Sequence, residues 1–295
     1  FQDAPSSYMY PWDSELYVRL GTSISEGNWL GDFNELTLVK NIFLSLFIAL
    51  LKLLRIKYNQ GVLILYFFSI FILLCSLKKL SWYQKLFLGI SLMFLPENFS
   101  YYRQTIRRED LEISYFLLMC AMFCFYLSTK KIRYILLYSL IVAVAVVTKE
   151  LNTPYYISLI IFLYFYFSDS KLNVFKTGRR VFLRKTLILP VIALIIVSPS
   201  AIIKKMNNKY YGVNVTNLWH STSFPKLIEI FYSVKPKDYV QNKNRNPISV
   251  SITNELRENT SGDLNKLISN FDVKFTYYWA TTTSGEWGSH FTWAL

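Results

Sequence analysis

Residues 61–77 read GVLILYFFSIFILLCSL, a run with no charged side chain. The hydrocarbon core of a bilayer is about 30 Å thick and takes about 20 apolar helical residues to cross. With its flanks, this stretch reads as a membrane-spanning helix. Working outward, five similar blocks follow at 86–99, 113–127, 132–148, 154–167 and 187–203. Their ends carry Tyr, Trp, Lys and Arg, among them Lys78, Trp82, Tyr83, Lys85, Tyr101 and Tyr102. Such residues sit at headgroup depth or snorkel toward it, which extends the shorter blocks to a full crossing. The chain is 53% hydrophobic with a mean hydropathy of +0.26, and that excess falls in these blocks. The expected fold is an all-α polytopic transmembrane bundle of about six helices over 61–203. Residues 1–60 form an extracytoplasmic loop with amphipathic and interfacial helices. Residues 204–295 form an extracytoplasmic mixed region. The chain begins at Phe1 and ends on the apolar Leu295, so it reads as a piece of a longer protein.

A net charge of +13 on a soluble chain would suggest nucleic acid. Here the bases alternate between loops, which is a topology signal, and no nucleic-acid partner is expected. The first, third and fifth loops carry twelve: Lys78, Lys79, Lys85, Lys130, Lys131, Arg133, Lys171, Lys176, Arg179, Arg180, Arg184 and Lys185. The second and fourth carry four, Arg103, Arg107, Arg108 and Lys149. Positive loops stay cytoplasmic, so 100–112, 149–153 and the tail after Ile203 lie outside. This suits a multi-pass protein of the plasma (inner) membrane. The apolar segment 42–54 is too short to cross, at about 20 Å for 13 residues. It is expected to lie in or dip into the outer leaflet, leaving 1–60 outside.

Within 13–26, Leu16, Leu20 and Ile24 recur every four residues and share one helix face. Pro11 precedes that helix and Gly27 is placed to stop it. Cys75, Cys120 and Cys124 lie inside apolar blocks, as small packing residues do. His220 and His290 are isolated. Asn98, Asn214 and Asn259 head glycosylation triplets, a pattern that recurs by chance. The outer Trp219, Trp279, Trp287 and Trp293 suit an interfacial belt or stacking on sugar rings.

The spans hold almost no ionisable residue, so chemistry is expected at a membrane face. Three outer clusters qualify: Asp13-Ser14-Glu15; Arg103 with Arg107, Arg108, Glu109 and Asp110; and Lys149-Glu150. A carboxylate can accept the proton of an attacking hydroxyl. Arg and Lys can hold charge building on a departing phosphate. Each cluster also has a plainer reading. Asp13 caps a helix, Glu15 pairs with Arg19 four residues on, Arg107 and Arg108 meet lipid headgroups, and Lys149-Glu150 marks a helix end.

In these residues the sequence resembles the GT-C class of membrane glycosyltransferases, which use polyprenyl-phosphate-linked sugars. Asp13 through Tyr17, the turn Gly27-Asn28-Trp29-Leu30-Gly31 and the segment Leu36 through Lys40 look like that class's first outer loop. The closest likeness is to a bacterial branch of uncharacterised multi-pass proteins. Arg107-Arg108-Glu109, Thr148-Lys149-Glu150, Tyr210-Tyr211-Gly212-Val213 and Phe291 through Leu295 look like further motifs of that branch. Asn41-Ile42 departs from its Gly-Pro pair, and Leu151 from the second Glu of its Thr-Arg-Glu-Glu motif. The resemblance implies sugar transfer from a lipid-linked donor to a glycan, lipid or protein acceptor. Asp13 would be the base or, as in some members, a ligand of a divalent metal. Arg107, Arg108 and Lys149 would hold phosphate, Arg103 would belong to the same substrate-binding set, and Glu15, Glu109 and Glu150 would orient those bases or the acceptor. Two other classes compete: a transporter or flippase, which expects a polar path across the bundle, and a non-catalytic envelope scaffold, which expects Asp13 and the arginines far apart. Orientation is testable on a background lacking the native cysteines. An impermeant maleimide should label Ser14→Cys and Gln104→Cys in intact cells and Ser81→Cys only after permeabilisation; the reverse pattern inverts the topology.

Overall fold

The computed structural model describes residues 11–34, 36–94, 106–149, 152–168 and 186–218, with 221 and 226; for 11–13 only the backbone is described. The chain divides into two units, Phe1–Leu218 and Trp219–Leu295, and the account below concerns the first. Arg103, Glu150, the loop 169–185, both histidines and the tryptophans from Trp219 onward lie outside the described residues.

Eight helices and no strand are present among the described residues. They are α1 (Pro11–Ser25), α2 (Phe43–Leu53), α3 (Tyr58–Ser76), α4 (Trp82–Met93), α5 (Glu109–Thr129), α6 (Arg133–Thr148), α7 (Thr153–Ser168) and α8 (Ile188–Tyr211). Three of them, α3, α5 and α8, are long and apolar enough to cross a membrane. The other helices in the expected spans are shorter, with 12 residues in α4 and 16 each in α6 and α7. At about 1.5 Å per residue, 16 residues reach about 24 Å.

Local chemistry sets the helix ends. Ser81 starts α4 with a capping box: its hydroxyl accepts from Gln84 N at 3.4 Å, and Gln84 Oε1 accepts from Ser81 N at 2.9 Å. Gly212 closes α8 in the left-handed region at φ +71°. Within α8, Pro199 offers no amide hydrogen to the Ile195 carbonyl. The Ser198 hydroxyl donates to that carbonyl at 3.1 Å instead, so the helix continues through the proline. Helix α8 also runs past Ile203 to Tyr211, which moves the expected boundary at 204. Lys204 through Tyr211, polar apart from Met206, continue the helix beyond its apolar stretch.

The main core lies among α3, α5, α6, α7 and the start of α8. Phe162 on α7 is buried at its centre, with Tyr138, Phe123 and Tyr126 edge-on at centroid distances of 4.5, 5.1 and 5.2 Å. That arrangement suits the ring quadrupole. The outward faces stay apolar: Phe67, Phe71, Phe116, Ile160, Leu194 and Val197 are all exposed. A water-facing surface of a monomer rarely carries so broad an apolar patch, and these side chains suit lipid.

Helices α1 and α2 pack on each other at the end of the bundle where α3 and α5 begin and α6 and α8 finish. Leu16, Leu20 and Ile24 do share the inward face of α1, and Gly27 stops that helix at φ +87°. Helix α2 does not traverse the bundle. Phe43 near its start lies edge-on to Tyr115 (6.5 Å), and Phe47 edge-on to Tyr58 at the start of α3 (6.5 Å). Its 11 residues thus remain at one end. The α1–α2 contact is tight at Gly21, where a Cβ would stand 2.8 Å from Ile48 Cγ2 and 2.9 Å from the Ser45 carbonyl oxygen. Gly21→Ala should therefore cost about 1–3 kcal/mol, read as earlier thermal unfolding in detergent by thiol exposure of Cys120 and Cys124.

Candidate functional site

The charged residues at this end are placed by apolar anchors. Ile106 and Leu111 flank the stretch Arg107-Arg108-Glu109-Asp110, and both are buried. They pack with Tyr17, Leu44, Ile48, Tyr58 and Tyr115. The four charged residues between them are held at the rim, Arg107 and Arg108 half-buried and Glu109 exposed.

Helix α1 is tied to the same stretch. The Ser14 hydroxyl accepts from Ile106 N at 3.2 Å and lies 3.4 Å from Ile106 O. Asp13 precedes Ser14 in the first turns of α1, and Arg107 follows Ile106, so two clusters 92 positions apart in sequence meet here. Glu15 is exposed. The Arg19 guanidinium donates to Asn34 Oδ1 at 3.3 Å, so the expected Glu15–Arg19 pair gives way to a link between α1 and the following loop.

The carboxylates divide their tasks. Asp110 Oδ2 accepts from Arg107 N at 3.2 Å and from the Tyr58 hydroxyl at 2.9 Å, which pins the starts of α3 and α5 together. Lys149, just after α6, meets Glu112 on α5: Nζ donates to Oε2 at 3.0 Å and lies 2.9 Å from Oε1. Glu109, one turn earlier, stands 3.6 Å from the same ammonium. The third expected cluster thereby joins the second. Lys149 and Glu112 are 28% and 23% exposed, enough burial to weaken screening by water. Glu112 and Tyr58 were absent from the sequence-based site. The spacing of Glu109 and Glu112, three apart on one helix face, was the available signal for Glu112. Nothing local marks Tyr58.

A second network binds the loop after α1 to the end of α8. Trp29 Nε1 donates to Asn207 Oδ1 at 2.8 Å, and Asn207 Nδ2 donates to Val215 O at 2.7 Å. The Tyr211 hydroxyl donates to Gly31 O at 2.8 Å and accepts from Leu30 N at 3.2 Å. Asn217 Nδ2 donates to the buried Asn41, and Leu218 N donates to Leu38 O at 2.9 Å. The Gly27-to-Gly31 turn and the Tyr210-Tyr211-Gly212 stretch are therefore direct partners.

Among the described residues no three of His, Cys, Asp and Glu converge as a metal-binding set. Comparison with protein-family models, with curated proteins and with solved structures finds no match. The ion pair across α5 and α6 should show coupling. Lys149→Met and Glu112→Gln should each cost about 1–3 kcal/mol, between surface and fully buried pairs. The double variant should lose clearly less than the two together, as measured by unfolding in detergent.

Proposed function

We propose that this protein is a polytopic membrane glycosyltransferase of the GT-C type, working on the extracytoplasmic face of the plasma (inner) membrane. On this reading α3 to α8 supply six crossings, the three shorter helices completing theirs with polar and aromatic flanks. The observation that carries the proposal is the Ser14–Ile106 contact. It seats α1 at Ser14, the residue after Asp13 in sequence, on Ile106, the residue before the arginine pair, and transfer from a phosphate-linked donor needs a carboxylate and cations at one face. A non-catalytic scaffold has no need of that juxtaposition.

In the proposed reaction Asp13 takes the proton of the acceptor hydroxyl as its oxygen bonds to the anomeric carbon. The bond from that carbon to the donor phosphate breaks, and the electron pair leaves with the lipid phosphate. Arg107 and Arg108 offset the charge that grows there. Lys149 is already held by Glu112 and Glu109, so its part is to tie the end of α6 to the start of α5 and to lend field, with the arginines touching phosphate. Glu109 orients that ammonium, and Glu15 is the exposed carboxylate left to orient the acceptor.

Purified protein in nanodiscs, given a polyprenyl-phosphate sugar and a glycan or lipid acceptor, tests this. Asp13→Asn should lower turnover by about 10²–10⁴, the usual worth of a general base, with membrane expression unchanged. Wild-type turnover in that variant would remove the assignment.

A further inference from the structure

The other end of the bundle carries a concentration of positive charge that the sugar-transfer reading does not use. Helices α3 and α5 begin together, where Tyr58 meets Asp110. They share one buried core that runs from Tyr66 and Leu117 to Leu73 and Tyr126. The two are therefore parallel, and the turns after Ser76 and Thr129 lie at the same end. Packed helices stand about 8–10 Å apart, so the two turns are neighbours. They and the first residues of α4 and α6 hold Lys78, Lys79, Lys85, Lys130, Lys131 and Arg133, with no Asp or Glu in 77–86 or 127–135. The Lys130 ammonium lies over the Tyr126 ring at 5.4 Å, and the Arg133 guanidinium donates to the Tyr134 hydroxyl at 2.8 Å. Lys78, Lys79, Lys85 and Lys131 meet no carboxylate among the described residues. Like charges gathered this closely repel one another, and an anion from outside the chain relieves that repulsion.

Helix α4 offers that anion an apolar track. Its side toward α3 is fixed by two contacts. The Tyr66 hydroxyl donates to Leu92 O at 2.6 Å, and Gly89 is buried so closely that a Cβ there would stand 3.0 Å from Leu74 Cδ1. Away from that side, Tyr83, Phe87, Ile90 and Phe94 follow at steps of four, three and four residues, which makes one stripe. All four are exposed, Phe87 at 75%. Trp82 stacks on Tyr83 at 3.7 Å at the start of the helix, next to the lysines, where aromatic side chains mark headgroup depth. The 12 residues of α4 rise about 18 Å, close to the roughly 15 Å of one leaflet's hydrocarbon. The stripe thus has the length of one acyl chain, with the bases at its headgroup end.

We propose that this end of the bundle is a docking site for an anionic phospholipid. Lys78, Lys79, Lys85 and Lys131 take the headgroup phosphate, and one acyl chain lies along the α4 stripe. The stripe alone would accept any lipid. A zwitterionic headgroup brings its own ammonium to a place that is already positive, so the four bases set a preference for a net negative one. Each base near an anionic leaflet is worth a factor of about five in binding. On the topology expected from the loop charges, this end faces the cytoplasmic leaflet, whose surface is the negative one. The inference depends on the chain being a membrane protein and not on its being a glycosyltransferase.

A photo-crosslinking amino acid, p-benzoylphenylalanine, in place of Phe87 reads the lipid that lies on the stripe. The protein is put in nanodiscs of phosphatidylcholine and phosphatidylglycerol in equal amounts, and the crosslinked lipid is identified by mass spectrometry. Phosphatidylglycerol should exceed phosphatidylcholine by about fivefold or more. The same probe in place of Ile160, which is exposed on α7, should give a ratio of about one. Lys78→Gln, Lys79→Gln, Lys85→Gln and Lys131→Gln together should bring the ratio at position 87 to about one, whereas arginine at the same four positions should keep the preference. Crosslinks in equal proportion at position 87 with the lysines intact, an equal preference at position 160, a ratio that survives the four glutamines, or no lipid adduct at all would each overturn the inference.

Discussion

Burial of Ile106 and Leu111 beneath α1 and α2 is the constraint on which the charged end of the bundle depends. The two side chains are anchored on either side of four consecutive charged residues. Without that anchorage Arg107 and Arg108 would be two cations on an unconstrained stretch. With it, the peptide at Ile106 is presented to Ser14, and Asp110 is turned back to receive both Arg107 N and the Tyr58 hydroxyl. Apolar burial supplies the energy, and the hydrogen bonds supply direction. The pairing of Glu112 with Lys149 then becomes possible, because the first turns of α5 are locked in rotation against the end of α6.

The rest of the bundle separates two apolar environments. Inside, aromatic rings meet edge-on around Phe162, and small residues such as Ala121, Ala143 and Ala145 are fully buried, which allows close helix approach. Outside, phenylalanine, leucine and isoleucine face away from the protein. Because both sides are apolar, the helices show only weak amphipathic patterns. Packing is decided by shape and by ring geometry rather than by a contrast between oil and water. Helices α1 and α2 differ: they lie across the end of the bundle, and α1 shows the four-residue periodicity of an element with one dry face.

The second network explains the company that distant motifs keep. Gly27 and Gly31 adopt φ of +87° and +82°, conformations that favour glycine, and a Cβ at Gly31 would stand 2.7 Å from Ser23 Oγ. That tight turn delivers Trp29 to Asn207 and the Gly31 carbonyl to Tyr211, some 180 residues away in sequence. These side chains act as fasteners between the loop after α1 and α8. Their task is to keep the loop in place at the end where the charged residues gather, and they carry no evident chemistry themselves.

Composition and apolar run length were enough to mark a membrane protein, to locate the helices within a few residues except for α4 and the end of α8, and to single out the α1 face of Leu16, Leu20 and Ile24. Those properties are local: a helix reports its hydrophobicity and its periodicity through its own residues. The charged clusters were legible as clusters for the same reason. Which of their members meet was not. Tyr58 looks like any interfacial tyrosine until Asp110 is seen against it, and Glu112 reads as the last polar residue of a loop until α6 brings Lys149 within 2.9 Å. The extension of α8 to Tyr211 was likewise invisible, since hydropathy falls after Ile203 while the helix continues into contact with Trp29 and Leu30. Helix positions follow from the chain's local affinity for lipid. The pairing of charges follows from how helices rotate and approach in three dimensions, which depends on residues far apart in sequence.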